Sequence, residues 1–271
     1  MRFASLGSGS KGNATLVSAG DTLLLVDCGF TYKETEQRLA RLGVEAAAID
    51  AILVTHEHGD HCSGVAALSK RHRIPVYLSH GTAASGRVSG GYQQIKINAG
   101  DVFSVGDVAI SAVPVPHDAR EPTQFIFTQN RRRLGILTDL GSITPHVVEA
   151  YGSCHGLLLE FNHDTELLMR SSYPAALKRR VGGDYGHLNN DQAVDLLSQL
   201  DTSCLNTLVA AHLSEQNNSP QHTLEALDRA ADCHQARVIL ACQSAGFDWV
   251  SVADDLDADA SVAPLTSVAM G

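Results

Sequence analysis

Four side chains that can bind a metal ion leave the chain within six residues: His56, His58, Asp60 and His61, in the run Thr55-His56-Glu57-His58-Gly59-Asp60-His61. Imidazole and carboxylate donors crowded in this way suit zinc or a similar transition metal. The run follows Ala51-Ile52-Leu53-Val54, an apolar stretch that reads as a buried strand. At an extended strand exit His56 and His58, two apart, project to the same side. Gly59 permits a sharp turn, so Asp60 and His61 return to the same point from another direction. The competing reading is a polar loop with surplus histidines, which requires three His and an Asp to gather at a hydrophobic strand end by chance. Cys62 follows directly and could touch the site, although its neighbours already supply enough donors.

The elements that must position this loop alternate strand and helix. Arg2 to Leu6 reads as a strand ending in the glycine- and serine-rich turn Gly7-Ser8-Gly9-Ser10-Lys11-Gly12-Asn13, whose backbone N–H groups and hydroxyls offer one way to hold a phosphate. Thr15 to Ser18 and Thr22 to Val26 form a hairpin, and the second strand ends at Asp27. A helix over Tyr32 to Leu42 stops at Gly43, and others are expected over Gly64 to Arg71 and near Thr82 to Arg87. The pattern is β from Ile95 to Thr128, with Val108 to Val115 ending at His117, and Leu134 to Leu137 ending at Asp139. Gly156 to Phe161 is a strand ending in Asn162-His163-Asp164, which could line a cleft or make a local turn. Tyr173 to Val181 reads as a basic helix before the loop that carries His187. Asn189 or Asn190 caps a helix over Asp191 to Leu200. Thr207 to Ala211 leads to His212, Pro220 opens a helix over Ser219 to Cys233, and Val238 to Ala241 is the last expected strand. Polar residues thus recur at strand ends or in loops: Asp27, His56, His117, Asp139, His187 and His212. Loops carried by a rigid sheet are where active sites are commonly built. His72, His80, His146, His155, His222 and His234 have no convergent partners and read as structural or surface.

Composition narrows the class. With 271 residues and 44% apolar content the chain can bury a substantial core. The β-rich blocks followed by helices suggest two sheets with helices outside, in one domain over residues 1–250, with residues 251–271 a poorly ordered tail. No run approaches the ~20 apolar residues of a membrane helix. The first residues read as a strand rather than a leader, so the expected location is cytoplasmic. The six cysteines contain no C-x-x-C pair and read as reduced thiols. A formal net charge of −10 argues against broad coating of a nucleic-acid backbone. It does not exclude a local basic strip, and Lys70-Arg71-His72-Arg73, Arg131-Arg132-Arg133 and Lys178-Arg179-Arg180 are the dense clusters.

The T-H-x-H-x-D-H run, followed by an isolated His, an Asp and a final His after strands, resembles the metallo-β-lactamase fold superfamily over about residues 1–245. Within that superfamily the chain looks like the YycJ (WalJ) branch of bacterial metallohydrolases. The supporting stretches are Leu6 to Asn13, Glu160 to Asp164, Gly186 to Asn190, and Ala211 to Ser214. The resemblance implies an α/β (α+β) fold, a four-layer αββα sandwich, with a dinuclear metal site between its sheets. It implies that His56, His58 and His117 hold one divalent ion, that Asp60, His61 and His212 hold the other, and that Asp139 bridges them. Zinc suits five histidines best, and manganese or iron would fit the same shell. Two ions about 3.5–4 Å apart would share a hydroxide formed by lowering a water pKa from about 15.7 to near 7. Asp27 matches an aspartate that supports the ligand loop without binding metal. His187 occupies the place of a histidine that, in tRNase Z enzymes, acts near the scissile phosphate, so His187 and Asp60 are the expected catalytic residues. The chain lacks the β-CASP insertion of RNase J and the long arm of tRNase Z, which argues against structured tRNA or long duplex RNA.

The resemblance points to a metal-dependent phosphodiesterase, a 5′→3′ exonuclease acting in DNA repair on single-stranded or 5′-phosphorylated DNA. Ser8, Ser10 and Asn13 are the candidates to hold a terminal phosphate. The alternative is a small-molecule metallohydrolase such as a cyclic phosphodiesterase, lactonase or thioesterase, because one scaffold hosts many chemistries. A zinc-stabilised binding module fits less well, since structural zinc sites are closed.

Overall fold

The computed structural model describes residues 1–229 and 236–252. Its strands are β1 (Arg2–Gly7), β2 (Ala14–Ala19), β3 (Thr22–Val26), β4 (Ala51–Val54), β5 (Pro75–Ser79), β6 (Gln93–Ile97), β7 (Val102–Val105), β8 (Val108–Pro114), β9 (Thr123–Gln129), β10 (Arg132–Leu137), β11 (Gly156–Glu160), β12 (Thr207–Ala211), β13 (Arg237–Leu240) and β14 (Phe247–Ser251). The helices are α1 (Tyr32–Arg41), α2 (Gly59–Cys62), α3 (Val65–His72), α4 (His80–Ala84), α5 (Pro145–Tyr151), α6 (Thr165–Arg170), α7 (Ala175–Val181), α8 (Asn190–Gln199) and α9 (Pro220–Leu227).

Alternation along the strands builds the layers. Successive side chains point to opposite faces, so a strand buried on both sides feeds two cores. Phe3, Leu24, Val26 and Leu53 of one sheet meet Ile110, Phe125, Phe127, Leu158 and Val209 of the other in the inter-sheet core. Their neighbours Leu25, Ile52 and Val54 instead pack outward with Leu39, Val65 and Leu68 of α1 and α3. On the far side Ile126, Leu157 and Leu159 pack with Val147, Tyr151, Leu196 and Leu197 of α5 and α8. The result is helices, sheet, sheet, helices: the four-layer αββα sandwich.

The sheets run in the orders β14-β1-β2-β3-β4-β5-β6 and β13-β12-β11-β10-β9-β8-β7. Both are mixed. β3 to β6 are parallel, and β1 runs with β3 because β2 is antiparallel to both. In the second sheet β10 to β13 are parallel, and β8 runs with β10 through antiparallel β9. The carboxyl ends of β1, β3 and β4 therefore lie at one end of their sheet, and those of β8, β10, β11 and β12 at one end of theirs. Ligands of open α/β sheets bind outside such carboxyl ends.

Three elements go beyond the sequence reading. The helices α5 and α6 are short, and their signals are mainly their caps: Thr144 accepts from Val147 N with Pro145 following, and Asp164 accepts from Leu167 N. β14 pairs antiparallel with β1 and sends Phe247 and Val250 into the inter-sheet core. Its five residues alternate too weakly in hydropathy to declare a strand. Gly59 is also not needed for its backbone freedom: a Cβ there would meet only Ser63 Oγ at 3.5 Å. Asp60 and His61 come back because α2 is a helical turn, with His61 N donating to His58 O at 3.0 Å. The expected helix over Ser219 to Cys233 is described only to residue 229, and the tail expected over residues 251–271 lies outside the described residues from 253 on.

Candidate metal centre

Five histidines converge at the carboxyl ends of the strands, and four of them are set in the same way. Each has Nδ1 held by a neighbour, leaving Nε2 facing the centre. Asp27 accepts from His61 Nδ1 at 2.8 Å, and its other contacts are Thr55 N and Thr55 Oγ1, each at 2.8 Å. His56 Nδ1 lies 2.9 Å from Thr55 Oγ1. His117 Nδ1 donates to Gly186 O at 3.0 Å. His212 Nδ1 donates to Glu160 Oε1 at 2.8 Å. Partners of this kind fix the ring orientation and tautomer of metal-binding histidines and raise their basicity.

The inward-facing atoms fall into overlapping sets. His56 Nε2 lies 3.0 Å from His58 Nδ1, and His117 Nε2 lies 3.3 Å from the same atom. Two nitrogens bound tetrahedrally to one zinc sit about 3.3 Å apart, so this triplet has the spacing of a half-shell. A second set is Asp60, His61 and His212, with Asp60 Oδ2 3.5 Å from His61 Nε2 and 3.8 Å from His212 Nε2. Asp139 lies between them. Its Oδ2 is 3.1 Å from His61 Nε2, and its Oδ1 is 3.7 Å from His117 Nε2. Asp139 Oδ2 and His212 Nε2 are buried without a hydrogen-bond partner. Native interiors rarely leave such atoms unpaired, and here both face the donor cluster. The donor set, its spacing and these two atoms fit divalent metal ions.

The electrostatics agree. Burial and the neighbouring imidazoles hold His56 well below the usual histidine range, and burial likewise lowers His117, so both stay neutral donors. Burial alone would raise Glu160, but His187 and His212 outweigh it and bring the carboxyl down to about 2. Burial would lower His212, but Asp139, Asp60 and Glu160 lift it to about 10. His61 is raised in the same way by Asp139, Asp60 and Asp27. The buried carboxylates thus demand positive charge at the centre, the electrostatic role a divalent cation fills.

The backbone bends sharply where it delivers these groups. Asp27, Asp139 and His212 have φ of 59°, 54° and 55°. Left-handed conformations are unfavourable for residues with a Cβ, and their gathering at strand exits marks a site where structure overrides local preference. The loops after β1 and β3 are packed just as closely on the histidine loop. Asn13 N donates to Asp60 O, Cys28 N to His61 O, and a Cβ on Gly29 would lie 1.8 Å from Asp60 O. Gly29→Ala is therefore expected to cost about 3 kcal/mol of stability and to weaken metal retention. Urea denaturation and metal content check this, and an unchanged midpoint would show that the loop can yield.

Sequence reasoning missed Glu160. It is fully buried at the end of β11 and receives His187 Nδ1 at 2.9 Å, His212 Nδ1 at 2.8 Å, Leu140 N at 3.0 Å and Leu188 N at 3.1 Å. The only sequence signal is a glutamate closing an otherwise apolar strand, Gly-Leu-Leu-Leu-Glu.

The cavity outside the centre is about 320 Å³ and is lined by His58, Asp60, Asp139, His187 and His212. Of the three phosphate candidates only Ser10 lines it, together with Ser214. Ser8 is buried and its Oγ accepts from His212 N at 2.9 Å, which makes it a support for that residue. Asn13 is spent on the glycine-rich turn and the histidine loop: its Oδ1 accepts from Gly9 N at 2.8 Å, and its Nδ2 lies 3.4 Å from Asp60 Oδ2. Cys62 turns away, towards Glu57 O, into the core. Asp164 caps α6, and His163 borders a separate groove with Leu168 and Met169. A further group with ion-holding spacing, Asp139, Glu160, His187 and His212, adjoins this same centre, and among the described residues no such group lies elsewhere.

Residues 22–212 match the family model described as a beta-lactamase superfamily domain. The chain is 34% identical to the exodeoxyribonuclease YycJ of Bacillus anthracis over 222 residues, covering 80% of this chain and 84% of that protein. It is 31% identical over 224 residues to the exodeoxyribonuclease WalJ of Streptococcus pneumoniae, covering 80% and 83%. Among solved structures, the metallo-β-lactamase fold protein YhfI of Bacillus subtilis superposes with a TM-score of 0.71 at 16% identity, covering 92% of this chain and 99% of that one.

Proposed function

The chain belongs to the metallo-β-lactamase fold superfamily and is a metal-dependent hydrolase; from that premise we propose that it is a DNA phosphodiesterase, a 5′→3′ exodeoxyribonuclease. The observation that carries the reading is the His187–Glu160 pair at 2.9 Å, set beside the metal centre and opening on the cavity. In this reading His56, His58 and His117 hold one ion, Asp60, His61 and His212 hold the other, and Asp139 is shared. Ions in such shells, zinc in keeping with five histidines, polarise phosphate oxygens and acidify water to near neutrality.

The chain's own groups supply the rest. Glu160 accepts from His187 Nδ1, so the other ring nitrogen is free for substrate. Burial lowers His187, but Glu160 and Asp139 overcome it and raise its pKa above the usual histidine value. The raised pKa favours the ring form that carries the proton a departing alkoxide needs, the form a general acid requires. Thioester hydrolysis places less demand on such an acid, because a thiolate leaves more readily than an alkoxide. The names of the two relatives support DNA as the polymer. Ser10 lies on the cavity wall, which supports its reading as the contact for a terminal phosphate.

His187→Ala is expected to lower turnover by about 10²- to 10⁴-fold with metal content near normal. Metal analysis beside steady-state rates checks it, and loss of an ion would move His187 into the ligand set. The test of the function as a whole is metal-reconstituted protein on 5′-phosphorylated and 5′-hydroxyl single- and double-stranded DNA, beside bis-nitrophenyl phosphate and a lactone. Release of mononucleotides from 5′ ends is the expected result. Activity on the lactone alone would overturn it.

A further inference from the structure

Three dense basic clusters occur in the chain, and their surroundings differ. In the first two, side chains are packed on their own scaffold: Arg71 and Arg73 lie over the rings of Tyr32 and Tyr92, and Arg133 donates to Ala150 O and Gly152 O. The third, Lys178-Arg179-Arg180, lies on α7, a helix with no buried residue and no acidic one. Apolar burial therefore does not explain this helix, and its charge opposes the −10 of the whole chain.

One end of α7 reaches the metal centre. Arg180 lines the same cavity as His58, Asp60, His187 and His212. Its Nε pairs with Asp118, whose Oδ1 lies 3.5 Å from His117 Nε2 and 3.8 Å from His58 Nε2. The Arg180 side chain is nevertheless 59% exposed, so the pair is open to competition. Exposed ion pairs are worth at most about 1 kcal/mol, whereas a guanidinium takes phosphate through two parallel hydrogen bonds. Among the described residues Lys178 donates to Met169 O alone and Arg179 forms no ion pair. Tyr173 lines the cavity beside Arg180, and Tyr185, largely exposed, accepts from Asp118 N through its carbonyl. Cations in series with exposed aromatic rings are the means by which proteins hold single strands.

We propose that the Asp118–Arg180 pair is a latch released by substrate: Arg180 leaves Asp118 for a backbone phosphate of a single strand, and Lys178 and Arg179 carry that strand along α7. This rests on the phosphodiesterase reading. It adds what that reading lacks, a route for the polymer outside the metal centre.

Binding of a 5′-phosphorylated, fluorescent single-stranded DNA with hydrolysis-resistant phosphorothioate linkages tests it, by anisotropy of the full-length, metal-loaded protein from about 50 to 200 mM salt. Each phosphate that the protein ceases to neutralise should reduce the slope of log K against log salt by about 0.7. Arg180→Met should lower affinity about tenfold and the slope by one such step, and Lys178→Ala with Arg179→Ala should lower the slope by about two such steps. Asp118→Asn should tighten binding, and adding Arg180→Met should remove that gain. In turnover, Arg180→Met should lose at least about ten times more kcat/KM on the oligonucleotide than on bis-nitrophenyl phosphate, which has no strand to hold. Unchanged slopes in both basic variants, with the unmodified protein binding and cleaving DNA, would overturn the latch and leave the nuclease reading standing. Failure of the unmodified protein to bind or cleave any oligonucleotide would sink both.

Discussion

Asp139→Asn is expected to abolish metal-dependent hydrolysis of every substrate, with kcat/KM falling by about 10³-fold or more. Asp139 is nearly wholly buried and, among the described residues, is the one side chain that approaches His61, His117, His187 and His212 together, at 3.1, 3.7, 3.6 and 3.7 Å. Burial would raise its pKa, but His212, His61 and His56 hold it well below the usual carboxylate range, so it is an anion throughout the neutral range. Asparagine keeps the shape and removes that charge. It also turns an amide N–H₂ towards histidine nitrogens that face inward to bind metal. Loss of several kcal/mol of charge stabilisation corresponds to the stated factor. Metal content should fall from two ions towards one or none. Retention of both ions and of activity within tenfold would show that Asp139 does not join the two half-shells.

Glu160→Gln should have the next largest effect, at a residue that touches neither the expected ions nor the substrate. Its carboxylate accepts from His187 Nδ1, His212 Nδ1 and two backbone N–H groups. A carboxylate can accept at all of these positions, whereas an amide must turn a donor towards at least one donor. The variant therefore disturbs both rings at once. Partners of this kind are worth about 10- to 100-fold in metal affinity or activity. A combined loss of about 10²-fold in kcat is expected, with the alkaline limb of the kcat profile moving to lower pH. The sign follows from the charge: Glu160 raises the pKa of His187, so its removal lets His187 lose its proton sooner as pH rises. A merely structural role would lower the denaturation midpoint and leave the profile in place. Glu160→Asp should restore part of the activity and the profile.

Much of the centre was legible because its density is local. His56, His58, Asp60 and His61 fall within six residues after a strand, and no long-range information is needed to see that they meet. His117, Asp139 and His212 were legible as polar groups following apolar strands. The layered fold followed from strand and helix alternation, since residues two apart must share a face whatever their neighbours. The strands that pack on both faces, β4, β11 and β12, read as continuous apolar runs for the same reason.

Tertiary structure decided the rest, because the deciding partners are distant in sequence. Glu160 is ordinary until His187 and His212, 27 and 52 residues away, turn their Nδ1 atoms onto it. Ser8 reads as a phosphate ligand until His212 N, 204 residues away, takes its hydroxyl. The basic run at Lys178 looks like any solvated helix face until Arg180 meets Asp118, 62 residues away, beside the histidines. β14 becomes a strand only because β1 offers it an open edge. Local pattern determined which residues could bind a metal. Only the folding of distant strand ends to one place decided which neighbours orient them, and so what chemistry they can do.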